Sequence, residues 1–301
     1  MWYLLAPTVL GIAGGVLLRL LRGAHLPSLD RRSAALTAAA AGASSLAMVV
    51  YSLSAVFAVS GVIPLYAFPW DAYVAVRYLL PLLVGILAVL ALGIPARNGS
   101  VSGAQLTRRT WTSFLGRSWI LALLLALGVV VAVTVAAGLA SQRDDAGHFT
   151  RYVVELGPGS MATTIYGWHL SVGPLVAVGV LLVATVVALA GIARPPHPED
   201  LEADIARRRL RSANVARIAT GALLLHLATV LRSVARTAGA TLMVGAESGE
   251  QFRSGTSFAA LAPVLQGAAL LTGAIGLALW ILTALSCRSR HDQTARQPAS
   301  A

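Results

Sequence analysis

The chain has 301 residues, 57% of them hydrophobic and only 12% charged, where a soluble domain carries about 25% charged residues; a water-soluble globular fold lacks the polar surface it needs and is excluded. The net charge of +11 rests on 23 basic residues, all of them arginine. They sit in short stretches between apolar runs, which excludes a basic nucleic-acid face and points instead to anionic lipid headgroups as partners.

Seven apolar runs follow one another, at 3–21, 35–60, 76–95, 118–140, 168–193, 216–238 and 261–286. Each approaches or exceeds the length that crosses a hydrocarbon core of about 30 Å. Each must be helical, because lipid offers no partner to an open backbone. The expected fold is an all-α integral membrane protein, a bundle of about seven transmembrane helices forming a single polytopic domain over 1–301. The first run is expected to be a helix and not a cleaved signal, since Arg19 and Arg22 follow it and no basic stretch precedes it.

Arginine alternates along the chain. Arg19, Arg22, Arg31 and Arg32 follow the first run, Arg97, Arg108, Arg109 and Arg117 the third, and Arg194, Arg207, Arg208, Arg209, Arg211 and Arg217 the fifth, while Arg288, Arg290 and Arg296 occupy the tail. The segments 142–167 and 239–260 are poorer in arginine, carry Asp144, Asp145, Glu155, Glu247 and Glu250, and read as solvated loops. The positive-inside rule then puts the N-terminus outside and the C-terminus in the cytoplasm. Trp2, Tyr3, Tyr66, Phe68, Trp70, Tyr73, Tyr166 and Trp168 mark the outer interface, and Trp111, Phe114 and Trp119 the inner one. Arginine in place of lysine throughout suggests a GC-rich bacterial genome, hence a multi-pass protein of a bacterial cytoplasmic membrane. Pro7, Pro81, Pro174 and Pro263 stand near the outer starts of the four inward-running helices, where a first-turn proline costs no hydrogen bond.

Between the fifth and sixth runs, 195–211 forms a cytoplasmic helical segment. Pro195, Pro196 and Pro198 precede Glu199, Asp200, Glu202 and Asp204, and the arginine cluster follows. Acids at a helix start and bases further on suit the helix dipole, and Asp204 and Arg208 are i,i+4 partners. Two readings stay open for 199–211: a lead into the sixth helix anchored on phosphates, or a docking helix for a cytoplasmic partner. Residues 288–301 read as a disordered cytoplasmic tail. Cys287, the lone cysteine, reads as an inert helix-end residue.

The second and sixth runs share a pattern. Arg32-Ser33-Ala34 aligns with Arg211-Ser212-Ala213, and Ala40, Gly42, Ala43, Leu46 and Ser54 align with Ala219, Gly221, Ala222, Leu225 and Ser233. Pro81 and Gly85 have the spacing of Pro263 and Gly267. A 3-1-3 parallel repeat is one transporter design, and it resembles SWEET-type sugar transporters in architecture alone, since their Pro-Gln signature is missing here. The seven-helix layout resembles that of rhodopsins, but a retinal Schiff base needs a lysine.

The sixth run carries the candidate site. Its uncharged stretch runs only from Ile218 to Leu231, about 21 Å at about 1.5 Å per residue. Arg232, and with it Arg236, therefore falls at hydrocarbon depth near the outer leaflet. Such an arginine either snorkels to headgroups or faces protein and water. Thr229, Ser233 and the two arginines share a face, and Arg77 at the top of the third run is a third cation. Guanidinium groups suit carboxylate or phosphate, so Arg232, Arg236, Arg77, His226, Ser233 and Thr229 are the expected ligand-binding residues. His226 lies near mid-membrane, with a packing role or a proton-relay role open to it, and His169 lies nearer the outer end of its helix.

No nucleotide or zinc motif is present: a P-loop needs lysine, and no H-E-x-x-H occurs. Asp144, Asp145 and His148 lack an identified fourth ligand. Ser44, in Gly42-Ala43-Ser44, and His226 suggest an intramembrane hydrolase, but G-x-S in a small-residue helix mainly lets helices pack closely. No cofactor is expected. The functional expectation is a transporter or permease-type protein for a small, anionic solute. The alternatives are a non-catalytic membrane subunit docking a cytoplasmic partner through 199–211 and, third, an intramembrane enzyme.

Overall fold

The computed structural model describes residues 2–21, 29–59, 69–94, 110–156, 159–193, 201–245 and 251–286. Eight helices cover most of them: α1 Trp2–Leu21, α2 Arg31–Val59, α3 Trp70–Val76, α4 Leu80–Gly93, α5 Arg117–Leu139, α6 Trp168–Ala193, α7 Leu201–Ala238 and α8 Ala262–Leu285. Five apolar helical segments are long enough to cross a membrane: Arg31–Ser54, Arg117–Leu139, Trp168–Ala193, Glu202–Ala238 and Ala259–Leu285. Leu5–Leu21 and Leu80–Gly93 are shorter apolar helices. The segments 22–28, 194–200 and 287–301, with Arg22, the 195–198 prolines, Glu199, Asp200, Cys287 and the tail, lie outside the described residues.

Helix α7 organises the bundle. Its 38 residues extend about 57 Å at about 1.5 Å per residue, and α4, α5, α6 and α8 all pack on it. From Asn214 to Leu223 every residue is buried. The closest approach is to α8. A Cβ at Gly221 would stand 2.5 Å from the Trp280 Nε1, and one at Gly276 would stand 2.9 Å from the Gly221 carbonyl oxygen. Glycine at both positions lets the backbones meet, as small residues do between membrane helices. The Trp280 indole fills the core and donates to the Ile218 carbonyl at 2.9 Å. Helix α1 lies along α8, with Gly11 and Gly15 in close contact with Leu277 and Ile281.

Successive long helices run in opposite directions, so the bundle has two distinct ends. At one end arginines cap helix C-termini, whose last carbonyls have no partner within the helix. Arg208 Nη1 donates to the Ile192 carbonyl of α6 at 2.8 Å. Arg211 Nη2 donates to the Ile94 carbonyl just past α4 at 2.9 Å, and Arg19 Nε to the Leu285 carbonyl of α8 at 2.9 Å. Arg208 also binds Asp204 at 2.6 Å, both side chains being buried, and its guanidinium lies over the Phe114 ring. Asp30 caps α2 by accepting from the Ser33 N–H at 3.0 Å. Arg208 and Arg211 thus spend their donors on helix ends, while Arg209 and Glu202 are exposed.

The other end carries strands. The segments 142–167 and 239–260, expected as solvated loops, contain β-structure. β1 Gln142–Arg143, β2 Phe149–Leu156 and β3 Gly159–Thr164 make an antiparallel sheet in the order β1-β2-β3. β4 Thr241–Gly245 pairs with β5 Gln251–Gly255 from Thr241↔Gly255 to Gly245↔Gln251. The reason is local: Phe149-Thr150-Arg151-Tyr152-Val153-Val154 is rich in β-branched and aromatic residues. The two elements meet where the Tyr152 and Ser257 hydroxyls lie 2.8 Å apart and the Tyr152 ring stands edge-on to Phe258. The Thr237 hydroxyl of α7 donates to the Thr164 carbonyl at 2.7 Å, which ties the sheet to the bundle.

The prolines divide. Pro81 and Pro263 occupy the first turns of α4 and α8, as expected. Pro7 and Pro174 lie inside α1 and α6, where each removes an i→i−4 bond. The aligned residues of the second and sixth runs have unlike surroundings. A Cβ at Gly221 would meet Trp280 whereas one at Gly42 would meet nothing within 4 Å, and a Cβ at Gly85 would stand 2.5 Å from the Ala222 Cβ whereas one at Gly267 would face open space.

Candidate functional site

The site is built at the strand-bearing end from α2, the α3–α4 turn and the last third of α7. Pro81 has no N–H to continue a helix through residue 77, so α3 stops at Val76 and α4 begins at Leu80, with a turn over 77–79. That break sets Arg77 and Tyr78 beside α7. The Arg77 guanidinium lies 4.4 Å over the Tyr78 ring, and its Nε is buried with no hydrogen-bond partner. The Tyr78 hydroxyl donates to the Ser233 hydroxyl at 2.8 Å, and the His226 Nδ1 lies 2.8 Å from the Tyr78 carbonyl oxygen. A carbonyl can only accept, so Nδ1 carries the proton. Tyr166 packs on Tyr78 with ring centres 4.6 Å apart and stands edge-on to His226.

Beside this knot, Tyr51 of α2 stacks on Tyr73 of α3, with centroids 4.6 Å apart and planes 10° apart. Arg77 and Arg232 both lie close enough to act electrostatically on the Tyr51 hydroxyl. Arg236 and Tyr73 lie within electrostatic reach of Arg232, and Arg236 within reach of Tyr78. No carboxylate whose side chain is described pairs with any of the three guanidinium groups.

Arg232 is half-buried and lines a cavity of about 50 Å³ between α1, α2, α7 and α8. Thr8, Tyr51, Ser52 and Thr229 supply its other polar lining, with Pro7 and Gly273 at its wall. One water needs about 10–15 Å³, so the recess admits a few waters or one small ion. It is well below the roughly 300–1,000 Å³ of a pocket for a larger organic ligand. The interior Pro7 thus borders a cationic recess.

The structure sorts the six expected residues into groups. Arg232 and Thr229 line the cavity, although the Thr229 hydroxyl donates to the His226 carbonyl at 2.6 Å. Arg77, Ser233 and His226 converge on Tyr78. Arg236 is exposed at the end of α7, within electrostatic reach of Arg232 and Tyr78. Tyr51, Tyr73, Tyr78, Thr8 and Ser52 were not expected. Tyr78 beside Arg77, and Tyr51 beside Ser52 in α2, were the available signals.

The remaining polar groups are committed elsewhere. Asp144 closes the β1–β2 turn, accepting from the Ala146 N–H at 3.0 Å, the His148 N–H at 2.8 Å and the Thr150 hydroxyl at 2.6 Å. The Thr150 hydroxyl, then the His148 N–H, hold its carboxyl below the usual carboxylate range. Asp145 pairs with Arg151 at 3.1 Å. His148 stacks on His169 with centroids 3.9 Å apart. Among the described residues no group of three metal-ligating side chains comes together.

Comparison of the chain with protein-family profiles, with curated proteins and with solved structures finds no match. The functional reading therefore rests on the geometry alone.

Proposed function

We propose that the chain is a multi-pass protein of a bacterial cytoplasmic membrane, crossing it seven times with its N-terminus outside, and that it is a permease-type transporter of a small inorganic or carboxylate anion. Alternating helix directions and the gathering of arginines at one end support this topology. The observation that carries the anion reading is the clustering of Arg77, Arg232 and Arg236 around the outer end of α7, where Arg232 lines a recess beside Tyr51. An arginine at membrane depth costs about 2.5–3.5 kcal/mol on insertion scales. Such a charge on Arg232, with Arg236 one turn along α7 and Arg77 nearby, is compensated by a bound anion, which guanidinium groups grip bidentately. Equilibrium binding of labelled phosphate, sulfate, nitrate and acetate to the detergent-purified protein tests the reading. Saturable binding of one of them, lost in Arg232→Leu, supports it. No saturable binding of any of the four overturns it.

A second reading has its own observation. The interior around α7 is closely packed with alanine, leucine and Trp280, as befits a non-catalytic membrane subunit. Its cytoplasmic contact would lie on the exposed residues of 199–211, Glu202 and Arg209. Co-purification of one stoichiometric partner, lost in Glu202→Gln with Arg209→Gln, supports this reading over transport. Purification of the chain alone with intact anion binding counts against it.

A further inference from the structure

A second cavity lies on another face of α7. A groove of about 420 Å³ runs between α5 and α8, with α7 as its floor. Trp119, Ala122 and Leu125 stand on one wall, Ile275 and Leu279 on the other, and Leu224 and Leu227 on the floor. From Trp119 to Val129 it extends about 15 Å at about 1.5 Å per residue, the depth of one leaflet of a core about 30 Å thick.

The floor changes character along its length. Asn214, Arg217, Thr220, Leu224 and Leu227 follow at three- and four-residue spacing, so they share one face of α7. Toward the arginine end this face presents donors. Arg217 Nη1 donates to the Asn214 Oδ1 at 2.7 Å, and its guanidinium lies 5.5 Å over the Trp119 ring at the groove's end. The Asn214 Nδ2 and the Thr220 hydroxyl are buried with no hydrogen-bond partner, though Asn214 is 0% and Thr220 3% exposed. Buried donors normally find acceptors. Beyond Thr220 the lining is hydrocarbon except for Thr272, whose hydroxyl is turned to its own helix and donates to the Ala268 carbonyl at 2.7 Å.

We infer that this groove holds one acyl chain of an anionic phospholipid from the leaflet at the arginine end, an inference that rests on the membrane-spanning reading. The order of chemistry along α7 is the order along such a lipid. A phosphate meets the positive charge of Arg217 beside Trp119, an ester carbonyl accepts from the Thr220 hydroxyl one turn deeper, and the chain lies over Leu224 and Leu227. A zwitterionic lipid offers the same chain and ester but no net negative charge to Arg217.

Native mass spectrometry of the purified full chain, with added phosphatidylglycerol or phosphatidylcholine, tests the assignment. One phosphatidylglycerol per chain should survive delipidation, with phosphatidylcholine retained several-fold less. Val129→Trp and Ile275→Trp, at lining positions that are exposed, should fill the groove and abolish retention without loss of folded protein. Thr220→Val should reduce retention several-fold while thermal stability holds. Equal retention of the two lipids, or unchanged retention in both tryptophan variants, would overturn the proposal. Detergent-free solubility would instead overturn the membrane-spanning reading, so the two failures are separable.

Discussion

Tyr78 is bound to α7 at both of its ends: its hydroxyl donates to the Ser233 hydroxyl at 2.8 Å, and its carbonyl oxygen lies 2.8 Å from the His226 Nδ1. Ser233 and His226 are seven residues apart, two turns on one face of α7. The residue therefore clamps the α3–α4 turn against the helix that carries Arg232. Tyr78→Phe removes one of the two contacts and should lower stability by about 1 kcal/mol. The same change frees Arg77 to move, so anion affinity should fall by more than stability does. Thermal unfolding in detergent and anion titration, run on the same preparation, separate the two effects.

The buried pair at the other end yields the largest expected loss. Asp204→Asn removes the carboxylate charge that binds the buried Arg208 guanidinium, and removing one partner of a buried pair costs about 3–5 kcal/mol. Arg211→Ala uncaps α4 and should cost about 1 kcal/mol, the scale of a cation at a helix C-terminus. Glu202→Gln, on an exposed residue, should leave stability unchanged. Urea or thermal unfolding of the three variants orders them. An Asp204→Asn protein as stable as the parent would show that the pair is not buried in the native state.

The helices were largely legible from hydropathy. Helices α5, α6 and α8 begin and end within a residue or two of the apolar runs. Which helix lies at the centre was not legible, because the arginine-rich half of α7 has the composition of a solvated segment. Arg208 and Arg217 are buried there through helix carbonyls, Asp204, Asn214 and aromatic rings, and these partners are set by tertiary contact. The strands went unread for a different reason. Charge distribution separates 142–167 from the arginine-rich segments, but it takes no account of the β-forming run from Phe149 to Val154. At the site, the arginines were visible as exceptions to an apolar pattern. The tyrosines that bring them together were not, since a tyrosine near a helix end equally marks a membrane interface.

Orientation has a direct test. Cysteines should be introduced into a Cys287→Ser background at Ala146 and Ala260 at the strand-bearing end, and at Ser113 at the arginine end; all three positions are exposed. Gly147 is avoided, because its φ of 81° suits glycine and strains a side chain. In intact cells an impermeant thiol reagent should label positions 146 and 260 and should reach position 113 only after lysis. The reverse pattern would invert the proposed topology.

The β1–β2 turn should respond to acid. The folded Asp144 carboxyl lies below its ordinary range because the Thr150 hydroxyl and the His148 N–H bind its charged form. A depressed folded pKa adds stability that is present above the unfolded value, near 3.9, and is lost as pH falls through the folded value. The turn should therefore hold at neutral pH and loosen only below about pH 4. Amide exchange at Ala146 and His148, whose N–H groups bind the carboxylate, reports this. Asp144→Asn should raise exchange at both amides at neutral pH and make it insensitive to acid, and unchanged exchange would show that the hydrogen bonds contribute nothing in solution.

Arg232 decides between a snorkelling cation and a binding group. If its side chain only reached for headgroups, Arg232→Leu would remove an expensive group, and the protein would be as stable or more so with unchanged function. The recess argues otherwise. Arg232 faces Tyr51, Ser52 and Thr8 across a cavity of about 50 Å³, with Arg236 one turn further along α7. Arg232→Leu should therefore unfold at the same or a higher temperature than the parent, and anion binding should disappear. Arg232→Lys is the sharper probe, because it keeps the positive charge and the ability to snorkel but loses the planar fork. Its affinity should fall about tenfold or more, equivalent to at least about 1.4 kcal/mol, with stability intact. Arg236→Gln, on an exposed side chain, should weaken binding less and in a salt-dependent way, since screening acts most on exposed charges. Parent-like anion binding by Arg232→Leu would remove the cationic recess as a functional site and leave the closely packed interior, and with it the subunit reading, as the better account of this bundle.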